Sequence, residues 1–220
     1  MKITCVSDLH GFYPELEGGD LLIIAGDWTK KDTESQVFDF FDWVHEQDYR
    51  KKIIIAGNHD NQAFEQNYSG PVGLMKDAFV YLCDSGTKFE GRKIWGSPWT
   101  RSFVGMNPKC RAFVLDTEEE LGEKWKLIPT DTDILITHSP PFSVLDKTVD
   151  GLQVGSSYLM ADHLQRLRPK LWVFGHIHEA YGQEGPFQWN RTKYVNASHV
   201  DENYKPVHKP ITVDLCSTNP

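Results

Sequence analysis

Short apolar segments rich in isoleucine, leucine and valine recur along the chain and constrain the fold more than any other feature. Five of them run directly into small or polar residues, and they lie at 3–6, 21–25, 53–56, 134–136 and 171–174. Segments of this length that are apolar at consecutive positions are typical of strands buried on both faces of a sheet. The sequence therefore predicts sheets that are covered on both sides.

Amphipathic segments between these strands predict three helices. Residues 33–47 carry apolar side chains at helical spacing, and residues 116–128 begin with acidic side chains that suit the positive end of the helix dipole. The third helix is expected at 157–167. A hairpin and two late strands are predicted at 87–95, 193–195 and 211–215. The pattern favours an α/β fold with some antiparallel strands, and 220 residues fit one domain spanning 1–220.

Composition excludes several classes of protein. The chain has 31 acidic and 23 basic residues, a formal net charge of -8, which disfavours an extended nucleic-acid surface or binding to an anionic membrane. Its apolar segments are far shorter than the ~20 residues that a membrane span needs. No signal segment precedes the first strand, and the four cysteines are scattered (Cys5, Cys83, Cys110 and Cys216). We therefore expect a cytoplasmic protein without a cysteine-held zinc.

Polar side chains with metal-binding chemistry follow the five strands, where open α/β sheets place their sites. Each short motif alone is common, and a lone histidine is usually a surface or hydrogen-bonded residue. The combination, in order and always at a strand end, is very improbable by chance. The seven side chains of ligand type are Asp8, His10, Asp27, Asn58, His138, His176 and His178.

Carboxylate, imidazole and amide groups together favour borderline metals such as manganese, iron, zinc or cobalt, whereas calcium prefers oxygen ligands only. Seven ligands are too many for one tetrahedral zinc. They fit two metal ions about 3.5–4 Å apart that share a carboxylate. Such a pair generates a hydroxide at neutral pH and holds the oxygens of an in-line phosphoryl displacement.

The motif order resembles that of the calcineurin-like metallophosphoesterase superfamily, which is D-x-H, G-D, G-N-H-[DE], H and G-H-x-H. The corresponding segments here are Asp8-Leu9-His10, Gly26-Asp27, Gly57-Asn58-His59-Asp60, His138 and Gly175-His176-Ile177-His178. Within the superfamily the sequence is most similar to the metallophosphoesterase-domain-containing (MPPED) proteins. Segments 96–99, 133–141, 173–179, 195–198 and 203–207 carry that similarity. The resemblance implies a four-layer α/β/β/α sandwich of two mixed sheets flanked by helices, with the metals at the strand ends.

The resemblance also implies a role for each residue. The first metal ion would be held by Asp8, His10, Asp27 and His178, and the second by Asp27, Asn58, His138 and His176. Asp27 would bridge the two ions. We expect manganese, with iron, zinc or cobalt as alternatives.

His59 would not be a ligand in this scheme. It would act on the phosphate as a catalytic residue, stabilising transition-state charge and protonating the leaving oxygen, while Asp60 would orient it. Asp60 stands where many relatives have glutamate. Some vertebrate relatives lack the first histidine of G-H-x-H and are weak enzymes, whereas His176 is present here.

Four residues are candidates for contacting the substrate. Trp28 follows the bridging aspartate, Trp99 and Arg101 follow the Ser97-Pro98 turn near Phe103, and His199 follows a late strand. A tryptophan could stack on a base and an arginine could bind a phosphate. Packing roles for the tryptophans stay open at this point.

Three functions are compatible with these residues. The first is a dinuclear-metal-dependent phosphodiesterase that hydrolyses small phosphodiesters, with cyclic nucleotides as the leading class, by attack of a metal-bridging hydroxide. The second is a phosphomonoesterase or protein phosphatase using the same site. The third is a scaffold that binds a partner without catalysis, and we disfavour it because the full ligand set is present. The sequence leaves the oligomeric state open.

Overall fold

Strands form two larger sheets in a computed structural model of the chain, which describes residues 1–65, 78–103, 105–188 and 190–215. The first sheet has β1 (Lys2–Val6), β2 (Gly19–Ala25), β3 (Tyr49–Ile55), β4 (Val80–Tyr81) and β13 (Ile211–Asp214). The second has β5 (Ser85–Phe89), β6 (Arg92–Ser97), β9 (Ile134–Thr137), β10 (Leu171–Phe174), β11 (Gly182–Glu184) and β12 (Lys193–Asn196). A separate pair consists of β7 (Thr100–Arg101) and β8 (Val114–Leu115).

Both larger sheets are mixed. The first has the order β13-β1-β2-β3-β4, in which only the β13 pairing is antiparallel. The second has the order β11-β12-β10-β9-β6-β5, with antiparallel pairing at both edges. The inner strands of each sheet run parallel, so their carboxyl ends lie along one edge of that sheet.

Helices cover the outer faces of the two sheets. They are α1 (Glu34–Glu46), α2 (Asn61–Glu65), α3 (Glu118–Trp125) and α4 (Ser157–Gln165), and a 3₁₀ turn spans His178–Ala180. Phe40 of α1 packs on the first sheet, whereas Leu121 and Leu159 of α3 and α4 pack on the second. A third apolar layer between the sheets includes Ile23 and Ile136. The four-layer α/β/β/α architecture expected from the family resemblance is therefore confirmed.

The helix ends follow from local chemistry. The Thr33 hydroxyl accepts the Gln36 N–H at 3.4 Å, so α1 begins one residue later than predicted. Thr117 and Glu120 form a capping box, which places the start of α3 at Glu118 rather than 116. The short elements α2, β4, β7, β8 and β11 were absent from the prediction because they are too short to carry a distinct pattern.

The two sheets meet at the carboxyl ends of β1 and β12. The Ser7 N–H donates to the Ala197 carbonyl at 2.8 Å, and the His199 N–H donates to the Ser7 carbonyl at 2.8 Å. This bridge brings the residues that follow the strands of both sheets to a common edge. Among the described residues, no helix is long and apolar enough to cross a membrane.

Candidate metal centre

The loops that follow β1, β2, β3, β9 and β10 converge on one buried cluster. Four of its residues, Asp8, His10, Asp27 and His176, have left-handed backbone angles with φ between 44° and 69°. This conformation costs a non-glycine residue about 1–2 kcal/mol, so the surrounding contacts must hold it. Strain of this kind is concentrated at functional sites.

Glycines in two motifs allow the backbone to lie directly against the cluster. A methyl group at Gly57 would overlap Oδ1 of Asp27 and would lie 2.6 Å from Cε1 of His138. A methyl group at Gly175 would overlap Oδ2 of Asp8 and Oγ of Ser7. The glycines of G-N-H-D and G-H-x-H are therefore explained by close approach of the loops to the polar side chains.

The Asp27 carboxylate lies at the centre of the cluster. Its Oδ2 atom is 3.7 Å from Nε2 of His10, 3.5 Å from Nε2 of His138 and 4.0 Å from Nε2 of His59. Its Oδ1 atom accepts the backbone N–H of His59 at 2.9 Å. One carboxylate oxygen therefore faces two histidines from different sheets, which is the position that a bridging ligand needs.

Two histidines and a second carboxylate surround one side of Asp27. Nε2 of His178 lies 3.3 Å from Nε2 of His10 and 3.4 Å from Oδ1 of Asp8. Asp8 is fixed by the Ser198 hydroxyl, which donates to Oδ2 at 2.8 Å, and by the His176 N–H, which donates to both oxygens. Asp8, His10 and His178 can together hold a metal ion.

The second side of Asp27 is formed by residues from the other loops. Nε2 of His138 lies 3.1 Å from Oδ1 of Asn58, and the rings of His138 and His176 have centroids 5.0 Å apart. Asp8, Asp27 and His138 form another group that can hold a metal ion. All seven side chains of the predicted ligand set are thus brought together, although their division between two ions stays a prediction.

The donor atoms themselves fit metal ions. Nδ1 of His138 lies 2.9 Å from the Ala25 carbonyl, and Nδ1 of His178 lies 3.2 Å from the Asp201 carbonyl. A carbonyl only accepts hydrogen bonds, so Nδ1 carries the proton in each ring and the lone pair of a neutral ring is on Nε2. These Nε2 atoms face carboxylate oxygens, so a proton or a metal ion between them is stabilised. Backbone carbonyls orient metal-ligating histidines in this way.

Burial and charge set the protonation states of the cluster. Burial alone raises the pKa of a carboxyl group, but the neighbouring histidines hold the pKa values of Asp8 and Asp27 below their usual range. Burial lowers the pKa of His10 to about 3 and that of His176 to about 3, so both rings are neutral. Burial opposes charge on His138 too, yet Asp27 raises its pKa to about 9. A metal ion replaces that proton when it binds.

His59 contacts a group that sequence reasoning did not assign to it. Its Nδ1 atom lies 3.4 Å from Sγ of Cys110. The Asp60 carboxylate instead accepts backbone N–H groups of Asp27 at 2.9 Å, Trp28 at 3.0 Å and Gly57 at 2.7 Å. The expectation that Asp60 orients the His59 ring directly is therefore corrected. Asp60 holds together the backbones of the two loops that carry Asp27 and His59.

Trp28 and His199, two of the predicted substrate contacts, are buried and bonded to neighbouring residues of the protein. Trp28 is 1% exposed, stacks on Phe40 with centroids 5.0 Å apart, and donates from Nε1 to the Ile55 carbonyl. A side chain this deeply packed has no face left for a substrate, so its predicted role is corrected. His199 is buried, and its Nδ1 lies 2.7 Å from the His208 carbonyl.

Trp99 directly precedes β7, and Arg101 is the last residue of that strand. Trp99 donates from Nε1 to Asp84 at 2.8 Å, and Nζ of Lys124 lies 4.0 Å above its ring, so this tryptophan is part of a polar packing cluster. Arg101 is exposed at the end of β7. Phe103, two residues later, is 57% exposed and lies 6.3 Å from the His176 ring between centroids.

Three residues near the cluster received no role from the sequence. Ser198 and Tyr204 belong to segments that carry the family similarity, and Cys110 was only one of four scattered cysteines. Tyr204 lies 4.8 Å from the His10 ring between centroids. Burial and the negative charges of nearby groups raise the pKa of Tyr204 to about 12, so its hydroxyl is neutral.

Comparisons with known proteins agree with this geometry. Residues 1–180 match the family described as calcineurin-like phosphoesterase. Metallophosphoesterase domain-containing protein 1 from Homo sapiens is 38% identical over 97% of this chain and 71% of its own length, and the Mus musculus protein has the same values. A UPF0046 protein from Caenorhabditis elegans is 31% identical over 98% of this chain and 81% of its own length.

A solved structure shares the fold. The crystal structure of TT1561 of Thermus thermophilus has a TM-score of 0.61, with 18% identity over 97% of this chain and 98% of that one. The similarity of fold, the family match and the relatives that align along almost the whole sequence lead to one conclusion. The chain belongs to the calcineurin-like phosphoesterase family.

Proposed function

We propose that the protein is a metal-dependent phosphodiesterase that hydrolyses small phosphodiesters, with cyclic nucleotides as the leading class. The single observation that carries the proposal is Oδ2 of Asp27, which faces His10 of one loop and His138 of another at 3.7 Å and 3.5 Å. A carboxylate between two sets of nitrogen donors is the arrangement that a two-metal phosphoesterase requires. When bound, the two ions supply Lewis acidity to the phosphoryl oxygens and activate the attacking water.

The charge of the site favours a diester over a monoester. Within the described residues, the ion pairs of Asp8 and Asp27 involve histidines only. Monoester recognition commonly uses Arg or Lys to balance the second negative charge of the phosphate. A diester carries one negative charge, so it needs less cationic compensation than a monoester at a site whose described aspartate ion pairs are with histidines.

We propose that His59 acts on the leaving group. Its Nε2 lies 4.0 Å from Oδ2 of Asp27, beside the candidate metal ligands, while its Nδ1 contacts Cys110. A water oxygen loses a proton to solvent and forms a bond to phosphorus as the phosphorus–oxygen bond to the alcohol breaks. A proton from Nε2 of His59 neutralises the departing oxygen, and such assistance is worth about 10²–10⁴-fold.

The test is a substrate panel with the purified full chain, first stripped of metal by a chelator and then reloaded with manganese. The panel contains a bis-aryl phosphate, an aryl phosphate, and 2′,3′- and 3′,5′-cyclic nucleotides. We expect no hydrolysis without metal, recovery with manganese, and a higher kcat/KM for diesters than for the monoester. Preference for the aryl phosphate would assign a phosphomonoesterase instead, and undiminished hydrolysis by demonstrably metal-free protein would refute the proposed chemistry.

The proposal extends to the cellular compartment. Cys5 and Cys110 are free thiols, and free thiols persist in a reducing environment. Cys216, the fourth, lies outside the described residues. This supports our proposal that the protein is cytoplasmic and that a small phosphoester is its partner, and a fractionation experiment tests the location.

A further inference from the structure

Tyr204 is an exposed aromatic residue at the edge of the metal centre. Its side chain is 44% exposed, yet its ring lies 4.8 Å from that of His10 and 5.1 Å from that of His178 between centroids. The ring of His59 is 6.2 Å away. The tyrosine therefore borders both a candidate metal-binding pair and the residue that faces the leaving group, while part of it stays open to solvent.

The turn that presents Tyr204 is tied to the metal centre through Asp201. The Asp201 carbonyl accepts the Tyr204 N–H at 2.9 Å and lies 3.2 Å from Nδ1 of His178. The Asp201 carboxylate accepts the N–H groups of Asn203 at 2.9 Å and Lys205 at 2.8 Å. One residue thus orients a candidate ligand and folds the turn, so the ring and the metal site are held in a fixed relation.

Tyr204 occupies a backbone conformation that disfavours tyrosine. Its φ angle is 59°, in the left-handed region that glycine and asparagine adopt most readily. Asn203 directly precedes it, and the turn could have been closed with glycine at lower strain. A bulky aromatic side chain held there by the hydrogen bonds of the turn indicates that the ring itself is needed at this position.

We propose that Tyr204 is the stacking surface for the base of a nucleoside phosphodiester and sets the preference of the site among bases. This inference rests on the proposed phosphodiesterase function and deepens it. Stacking suits this site because a neutral ring adds affinity without a cationic side chain. It depends on ring area and not on hydrogen-bonding pattern, so we expect purines to bind better than pyrimidines and the two purines to bind alike.

The test compares two diesters that share a five-membered cyclic phosphate, adenosine 2′,3′-cyclic phosphate and glycerol 1,2-cyclic phosphate, with the manganese-loaded full chain. We expect the KM advantage of the adenosine substrate to fall by roughly 5- to 150-fold in Tyr204→Ala, which corresponds to about 1–3 kcal/mol at 1.4 kcal/mol per tenfold. Tyr204→Phe should keep the advantage. Tyr158→Ala is the matched control, because Tyr158 is also 44% exposed but belongs to α4 and contacts Glu119.

Tyr204→Gly guards against a folding defect, because glycine adopts a φ of 59° without strain and should lose the advantage as alanine does. Binding of adenosine 5′-monophosphate and ribose 5-phosphate, measured by calorimetry, provides a readout that needs no turnover. The quantity compared is the ratio of the affinity for adenosine 5′-monophosphate to the affinity for ribose 5-phosphate. A lower ratio in both variants supports the stacking surface. If neither diester is hydrolysed, this result still stands and only the proposed function fails. Hydrolysis of both diesters with unchanged KM and binding ratios in both variants would overturn the role of Tyr204 alone.

Discussion

Replacing Gly57 by alanine tests whether the loop after β3 must touch the metal centre. The backbone of Gly57 has no left-handed φ, so the substitution is a steric change and not a conformational one. The new methyl group would overlap Oδ1 of Asp27 and would lie 2.6 Å from Cε1 and 2.7 Å from Nε2 of His138. Carbon atoms in contact prefer about 3.5–4.0 Å, so these groups must separate by roughly 1 Å.

The side chain of Asp27 has little freedom to move away. Its Oδ1 atom accepts the His59 N–H at 2.9 Å, and its own backbone N–H donates to Asp60 at 2.9 Å. Metal–ligand distances tolerate about 0.2 Å, whereas a misplacement of about 1 Å in a catalytic site can cost ~10²-fold in rate. We therefore expect Gly57→Ala to lower kcat/KM by about 10²-fold or more and to weaken metal binding.

The assay combines elemental analysis for metal content, hydrolysis of a bis-aryl phosphate with manganese, and thermal unfolding. Gly86→Ala is the matched control, because Gly86 belongs to β5 and lies outside the metal centre. A methyl group there would be 3.2 Å from its nearest atom, the carbonyl oxygen of Ile94. The control should bind metal and turn over substrate normally. Two bound metals and ordinary turnover in Gly57→Ala would show that the loop is not packed against the ligands as described.

Four further substitutions address individual roles. Asp27→Asn removes the charge shared by both ion positions, and we expect elemental analysis to show loss of both metals together with activity. His59→Ala should keep both metals but lower turnover by ~10²–10⁴-fold, with a smaller loss for an aryl leaving group that needs no proton; a lost metal would contradict its assignment as a non-ligand. In Asp60→Asn, an amide with one accepting oxygen replaces the carboxylate whose two oxygens accept three backbone N–H groups. At least one N–H group then faces the amide NH₂, so we expect the free energy of unfolding to fall by about 1–3 kcal/mol in chemical unfolding, and the activity to fall as well. Trp28→Phe leaves the Ile55 carbonyl without its donor and should lower stability by about 1–3 kcal/mol while KM is unchanged; a raised KM would restore Trp28 as a substrate contact.

The convergence of the seven ligand-type side chains could be predicted because it depends on local rules. An apolar strand that is buried on both faces ends where polar residues begin, and open α/β sheets place such ends together. Asp27 and His138 could thus be assigned to one site before their 3.5 Å separation was known. The same logic explains why Gly57 appears in the sequence, although only the structure shows which atoms it approaches.

The partners of these residues could not be predicted in the same way. Cys110 meets His59 across 51 positions of sequence, and Ser198 meets Asp8 across 190. Neither contact follows from a motif, because each depends on how a connecting loop crosses the strand ends and how the second sheet packs on the first. Asp60 illustrates the limit most clearly, since its neighbour in sequence is His59 but its hydrogen bonds go to three backbone amides.

Local pattern alone therefore determined the layered α/β class, the five strands that are followed by polar residues, and the seven ligand-type side chains after them. Tertiary packing decided the rest: the buried position of Trp28, the turn that carries Tyr204 to His10, and the contacts of Asp27 with His10 and His138. The physical reason is that a strand and its terminal residue are specified by neighbours a few positions away. The environment of a side chain is specified by whichever distant segment fills the space beside it.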